Sequence, residues 1–470
     1  MHIRAFTLHD QIAFATLSGD NNPLHVDAMA ARRTMFGSPV IHGVHGVLRA
    51  LDCWLETQDV RVEFDSIRAM FFKPVKVGDK LHLDIIPEDN DTLHIRLLNG
   101  NSIATKITAK WSVADFENNG NSLRVDSPSM SEPRVLSDDE IVSDSGSIDL
   151  HFNLNSASAL LPNLVQRMSL SQIATILHLS RLVGVMCPGL YSLFSEFELT
   201  KTARLENGGM FYKVDRFDKR IGLATIKISA PNMIGVVKAF RRPEPKDQAS
   251  YLTLREYARR GEFSNQQALI IGGSRGLGEV VAKLLAGGGA NVKLTYHKGK
   301  DDADKIVHDI VSNGGSAACF QYDVLNPSIC EQQISSFGWK PTHIYYFATP
   351  FIFSGAKGHF SPELFREFCD YYVVGFASLL NLLSPYAVKK VYCPSSVAID
   401  ELPKNMGEYA CAKIASELLC TFLEKCHPGL AIYKSRLPRV ATDQTVSIMP
   451  VKNEDPVDIM INELRAFLLD

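Results

Sequence analysis

"ALIIGGSRGLGEVVAKLL", residues 268–285, reads as a strand, a glycine loop and the start of an amphipathic helix. Gly272, Gly276 and Gly278, with Ser274, Arg275 and Leu277 between them, let a pyrophosphate sit against the helix N-terminus, where unpaired N–H groups favour an anion. A glycine pattern alone is a weak signal. Placed after a strand and at the start of a helix, it predicts a dinucleotide-binding β-α-β unit.

Working outward, buried-type strands "QALIIGG", "NVKLTY", "HIYYFA" and "KKVYCPSS" alternate with helical stretches over residues 265–470. That rhythm predicts an α/β Rossmann-type, doubly wound parallel sheet. "PSSVAI" carries Ser396, and "YACAK" sets Tyr409 and Lys413 four apart, on one face of a helix.

Upstream the pattern is different. "VIHGVHGVLRALDCWLE" (40–56) spaces Ile41, Val44, Val47, Leu48, Leu51, Trp54 and Leu55 as one buried helical stripe. "KLHLDII" and "TLHIRLL" are short strands, and "SIATKITAKWSV" (102–113) alternates, with Ile103, Thr105, Ile107, Ala109, Trp111 and Val113 on one face. Residues 1–115 therefore read as a helix wrapped by a mostly antiparallel sheet. Residues 116–147, rich in Ser, Asp and Pro, read as a solvated linker. A second copy of helix plus sheet is expected over 148–240, opening with "SLSQIATILHLSRLVGV" (169–185), although no motif repeats. Residues 241–264 read as another linker.

The bulk numbers fit a multidomain protein: 470 residues, of which 46% are hydrophobic. A net charge of −3 gives no general pull toward nucleic acid, and no apolar run is long enough to span a bilayer. Nine scattered cysteines, without paired spacing or a secretory signal ahead of them, point to reduced thiols in a cytoplasmic protein.

The Gly-x-x-x-Gly-x-Gly spacing, with Ser396 thirteen positions before Tyr409 and Lys413 beyond it, resembles the short-chain dehydrogenase/reductase family. The resemblance implies that Tyr409 passes a proton to a carbonyl oxygen while hydride arrives from a nicotinamide. Lys413 would lower the pKa of Tyr409, and Ser396 would hold the oxygen. Asp323, in "QYDV", matches the family position near the adenine. The second strand ends in His297-Lys298 and the loop carries Arg275; three cationic groups suit a 2′-phosphate, so NADPH is favoured over NADH. Asp301 and Asp302 lie further on. The sequence departs from the family in three places. Ile271 stands for its threonine, "FATP" (347–350) for its "NNAG", and Tyr372 for the asparagine of its extended proton relay.

Near the N-terminus, Gly-Asp-Asn-Asn-Pro (19–23) forms a loop. "FATLSGDNNPLHVDAMAA" (14–31), "FGSPVIHG" (36–43) and "FFKPVKVGD" (71–79) together resemble the MaoC-like (R)-specific enoyl-CoA hydratase family. That implies a hot-dog fold and, with the second copy, a double hot dog. It also implies Asp20 and His25 as catalytic residues and Asn22 as a supporting one. Hydrating an enoyl thioester needs a base for water and an acid for C2, and an Asp–His pair can serve both. The Gly43 amide, at a helix start, is the candidate oxyanion donor. A metal held by His25, His42 and His45 is the competing idea; the chemistry needs none, and no metal is expected. The second copy has no such motif. Cys187 is its one nucleophile candidate, and its expected role is to shape an acyl tunnel.

The two activities join end to end. The expected function is reduction of 3-oxoacyl thioesters with NADPH, then dehydration of the (R)-3-hydroxyacyl product to trans-2-enoyl, in fatty-acyl or polyketide-type metabolism. The carrier is acyl carrier protein or coenzyme A, and the same parts could run in reverse. The alternative is an (R)-specific hydratase whose reductase unit binds nucleotide without turnover, as a sensor or assembly module. By family resemblance a homo-oligomer is expected.

Overall fold

The computed structural model describes residues 2–87, 91–114, 126–203, 209–326, 339–383, 388–448 and 451–469. The chain forms two compact units, the first up to Glu244 with Ser447 and Ile448, the second from Pro245 with the rest.

The first unit holds a ten-stranded sheet. Its strands are β1 (His2–Ile3), β2 (Val62–Phe71), β3 (Leu81–Pro87), β4 (Thr92–Asn99), β5 (Ser102–Val113), β6 (Ser145–Ile148), β7 (Ser192–Lys201), β8 (Met210–Asp218), β9 (Leu223–Ala230) and β10 (Met233–Arg241). Their order across the sheet is β1-β3-β4-β5-β2-β7-β10-β9-β8-β6. Read from the middle outward, the two halves mirror each other. A long helix precedes each central strand, Gly43–Leu55 before β2 and Leu170–Arg181 before β7. The central pair is antiparallel, with Ile67 opposite Leu199 and Ala69 opposite Phe197. The repeat missing from the residue identities is thus present in the topology, a double hot dog.

The Gly43–Leu55 helix is buried almost all round rather than along one stripe; of its residues only Gly43 and Arg49 escape. The sheet covers one side, and the second repeat's Pro162–Arg167 and Leu170–Arg181 helices touch another. Leu48 and Leu51 are fully buried, each worth about 1.5–3 kcal/mol. The alternation expected over 102–113 holds only in its centre. Thr105, Ile107 and Ala109 face the core, but Ile103 and Val113 are exposed. The cause for Ile103 is a bulge: Leu97 pairs with Thr105 and Leu98 with Ile103, so Ala104 is the extra residue and reverses the facing.

Both expected linkers need correction. Residues 116–125 lie outside the described residues, but residues 138–143 form a helix whose N-terminus is capped reciprocally by Ser137 and Glu140. Leu136 and Ile141 are buried, and β6 pairs with β8, so apolar anchors hidden among Ser and Asp fasten this stretch to the sheet. In 241–264, Tyr251, Leu254 and Phe263 belong to the apolar core of the second unit.

The second unit contains β11 (Gln267–Ile271), β12 (Asn291–Tyr296), β13 (Ser316–Gln321), β14 (His343–Tyr346), β15 (Lys390–Tyr392), β16 (Ser395–Ser396), β17 (Ala431–Tyr433) and β18 (Arg436–Leu437). Six form a parallel sheet in the order β13-β12-β11-β14-β15-β17, while β16 and β18 pair separately. The order reverses between β11 and β14, and ligands of such sheets bind where it reverses. Among the described residues, no helix is long and apolar enough to cross a membrane.

Candidate active sites

In the first unit, Asn22 caps the short Pro23–Val26 helix through Leu24 N, which fixes the loop between Asp20 and His25. The Asn22 amide also donates to Gly184 O at 2.9 Å and Leu190 O at 3.1 Å, tying the loop to the second repeat. Asp20 is 2% exposed. Its Oδ1 accepts from Asn22 N at 3.2 Å and its Oδ2 from the Ser180 hydroxyl at 2.6 Å. Burial raises the Asp20 pKa, against the pulls of His25, Ser180 and Asn22. Burial lowers that of His25, against the pull of Asp20. His25 Nδ1 lies 2.8 Å from Val40 O. A carbonyl only accepts, so Nδ1 carries the proton and Nε2 keeps its lone pair.

His42 stacks on His25 with ring centroids 4.0 Å apart. It bridges Gln11 Oε1 (2.9 Å) and the Asp20 carbonyl (3.0 Å), bracing the loop from below. Asp20, His25 and His42 offer ligand atoms within 4.8 Å of one another, yet both His42 nitrogens already face oxygens. His45 is not part of this group: it stacks on Phe14 at 4.5 Å.

Asp20, His25 and Gly43 line one cavity with Leu24, Val40, Phe71, Val183 and Phe194, so its walls are largely apolar and come from both repeats. Gly43 opens its helix, where first-turn N–H groups lack helical partners. A Cβ there would meet the Phe71 ring at 2.9 Å. Cys187 is buried and burial pushes its thiol up, the reverse of an activated nucleophile.

The second repeat supplies groups to this pocket. Ser180 comes from its long helix, and Gly184 from the widened turn Leu182–Met186 that ends it. A contact in the other direction is different: Asp52, on the first repeat's helix, accepts from Asn163 N and Leu164 N at 2.8 and 2.9 Å, at the start of the second repeat's Pro162–Arg167 helix. No local signal marked Ser180, because its partner lies in the other repeat. Ser180→Ala leaves a buried carboxyl oxygen without its donor and is expected to cost about 1–3 kcal/mol, read as a lower melting temperature. At Gly184 an added Cβ would lie 2.1 Å from Asp20 Oδ1. Gly184→Ala is therefore expected to cost about 1–3 kcal/mol by overpacking, read as a lower melting temperature.

In the second unit, three glycines do three jobs. Gly272 has φ 79° and packs at the sheet's reversal point, where a Cβ would sit 2.8 Å from Ala348 N. Gly278 lets its helix approach the Gly272 carbonyl, 2.3 Å from an added Cβ. Gly276 has φ 58°, a left-handed backbone that favours glycine, and an added Cβ there would touch the Thr442 side chain at 3.7 Å, in front of the Gly276–Gly287 helix. No side chain caps that helix, leaving its first N–H groups for an anion. Ser274 is buried in the loop, and Leu277 packs on the core. The glycine turn and the uncapped helix start fit a dinucleotide pyrophosphate.

The charge argument for a 2′-phosphate changes. Arg275 is bound to the buried Asp443 at 2.6 Å, a partner 168 residues away, so its charge is already matched. His297 lies 3.6 Å from Asp323. Lys298 is exposed beside it.

Ser396 ends β16, facing the Gly407–Cys426 helix that carries Tyr409 and Lys413. Burial pushes the Tyr409 phenol up to about 12, and a hydrogen bond with Ser396 pulls the other way. Lys413, also buried, donates to Pro394 O at 2.8 Å and sits 5.9 Å from the Tyr409 ring centre. In this structure burial outweighs any lowering of Tyr409 by Lys413.

Residues 3–101 match the family model of the MaoC like domain, and residues 266–424 that of short chain dehydrogenases. A 3-oxoacyl-[acyl-carrier-protein] reductase of Synechocystis sp. is 38% identical over 71 residues, 15% of this chain and 29% of that protein. Protein MaoC of Klebsiella aerogenes is 30% identical over 95 residues, 20% of this chain and 28% of its own. A short chain dehydrogenase from Burkholderia cenocepacia J2315, solved in complex with NADP, is 20% identical, with a TM-score of 0.39 over 44% of this chain and 91% of that one. The chain thus spans under a third of the length of the curated relatives named here.

Proposed function

From a chain that joins a MaoC-like domain to a short-chain dehydrogenase domain, we propose a bifunctional enzyme of fatty-acyl or polyketide-type metabolism. It reduces 3-oxoacyl thioesters with NADPH and dehydrates the (R)-3-hydroxyacyl product. The observation that carries the reading is the presence on one chain of the Asp20–His25 pocket and the Ser396–Tyr409–Lys413 group.

In the dehydratase pocket, His25 Nε2 takes the proton from C2. Asp20, whose acid form burial favours, protonates the departing C3 hydroxyl; water leaves and the C2–C3 double bond forms. The Gly43 N–H holds the thioester oxygen as charge gathers there. Hydration runs the same transfers backwards.

In the reductase site, the Gly276–Gly287 helix start, Ser274 and Gly276 would hold the pyrophosphate, Asp323 would lie near the adenine, and His297 with Lys298 would meet the 2′-phosphate. The bound dinucleotide supplies hydride. The Tyr409 phenol, protonated at neutral pH, gives its proton to the carbonyl oxygen while Ser396 donates a hydrogen bond to it.

Incubation of the purified protein with acetoacetyl thioester and NADPH tests this, with coenzyme A and acyl carrier protein as separate arms. Cofactor oxidation and a crotonyl product are expected; neither on either carrier would sink the proposal. One observation favours a second reading: Lys413 leans on Tyr372 rather than on Tyr409. Tight NADPH binding without hydride transfer to any 3-oxoacyl substrate would identify the reductase unit as a sensor or assembly module beside a working hydratase.

A further inference from the structure

Helix Pro362–Cys369 runs into a widened turn, Asp370–Gly375, before the chain resumes as helix Phe376–Leu383. Tyr372 sits in that turn, 2% exposed. Its ring stacks on Phe368 at 6.0 Å and meets Tyr409 edge-on at 5.8 Å and 77°. Its hydroxyl contacts Thr349 Oγ1, whose own proton goes to Pro350 O at 3.0 Å. Tyr372 is therefore the donor, and its proton is committed to Thr349. What it presents to the site is a ring face. Lys413 Nζ lies 4.0 Å from the centre of that face, and its bond to Pro394 O holds it from the other side. An ammonium over an aromatic ring is attracted by the ring's quadrupole, most strongly where water is excluded.

We propose that Tyr372 is a positioning residue for Lys413: its ring, locked by Thr349, holds the ammonium as a fixed charge beside Tyr409. This rests on the reading of Ser396, Tyr409 and Lys413 as the reductive group. An asparagine would offer an amide to a chain of proton carriers; a tyrosine with a committed hydroxyl offers none. Lys413 then acts on Tyr409 by its field and passes no proton onward. The other groups facing it are Cys393, Cys420 and Glu417, the last occupied by Arg436 and Ser395.

The test compares the full chain with Tyr372→Leu and Tyr372→Phe. With lysines labelled by isotopic methylation and the Lys413 signal assigned through Lys413→Arg, NMR reads the ring directly. Wild type and Tyr372→Phe are expected to show Lys413 shifted upfield by ring current, and Tyr372→Leu to lose that shift. With acetoacetyl thioester and saturating NADPH, Tyr372→Leu is expected to lower kcat about 30-fold and Tyr372→Phe to restore most of it. In Tyr372→Leu the loss is expected to fall on kcat while KM stays put. A wild-type Lys413 signal at the ordinary lysine position overturns the proposal even if the Leu variant does not fold. So does a Tyr372→Phe loss as deep as that of Tyr372→Leu with the Lys413 ring shift intact, since the hydroxyl would then be a relay. If wild type shows the ring shift but transfers no hydride, the positioning role stands and the reductase reading falls.

Discussion

Tyr409→Phe is expected to stop thioester reduction while hydration of crotonyl thioester continues at the wild-type rate. The phenol is 8% exposed and burial pushes it up to about 12, so at neutral pH it holds the proton that the carbonyl oxygen needs. Phenylalanine keeps the ring that packs on Phe368 and Tyr372 and removes only the donor, so the fold should persist. Loss of a positioned acid costs about 10²–10⁴ in rate. NADPH oxidation and crotonyl hydration measured on one sample separate the two steps, and NADPH affinity should stay unchanged. A variant that still oxidises NADPH within about tenfold of wild type would remove Tyr409 from the chemistry.

The converse holds for Asp20→Asn, which should spare reduction and abolish dehydration, again by about 10²–10⁴. Asparagine keeps the shape: its oxygen can accept from Asn22 N and its NH2 can donate to the Ser180 hydroxyl oxygen, so cavity geometry is preserved. Burial is the largest influence on the Asp20 carboxyl, and it disfavours the charge. Removing that charge is therefore expected to leave the melting temperature level or raise it. The sign of the pH effect follows. Because the pKa is raised, the acid form persists above the ordinary carboxylate range, and the dehydration rate falls as pH climbs through the raised value. Full dehydration by Asp20→Asn would refute the assignment, as would an unchanged pH profile.

Much of this was legible in the chain because local backbone chemistry demands it. A loop that must turn sharply and leave a helix start bare needs glycines such as Gly272, Gly276 and Gly278 within a few positions. A phenol and an ammonium on one helix face need the spacing of Tyr409 and Lys413. Asp20, Asn22 and His25 declare themselves because one short loop carries all three. The repeat was readable from helix and strand rhythm, although no residue identities supported it.

Other features belong to the tertiary structure alone. Ser180 reaches Asp20 across 160 positions, and Asp443 captures Arg275 across 168. Tyr372 turns its face to Lys413 through a widened helical turn. The buried anchors Leu136, Ile141, Tyr251 and Leu254 convert polar-looking linkers into packed chain. Local residues specify each strand and helix, but which side chain meets which across the chain depends on the register of β2 against β7 and on how the elements pack, and no contiguous stretch of sequence encodes that.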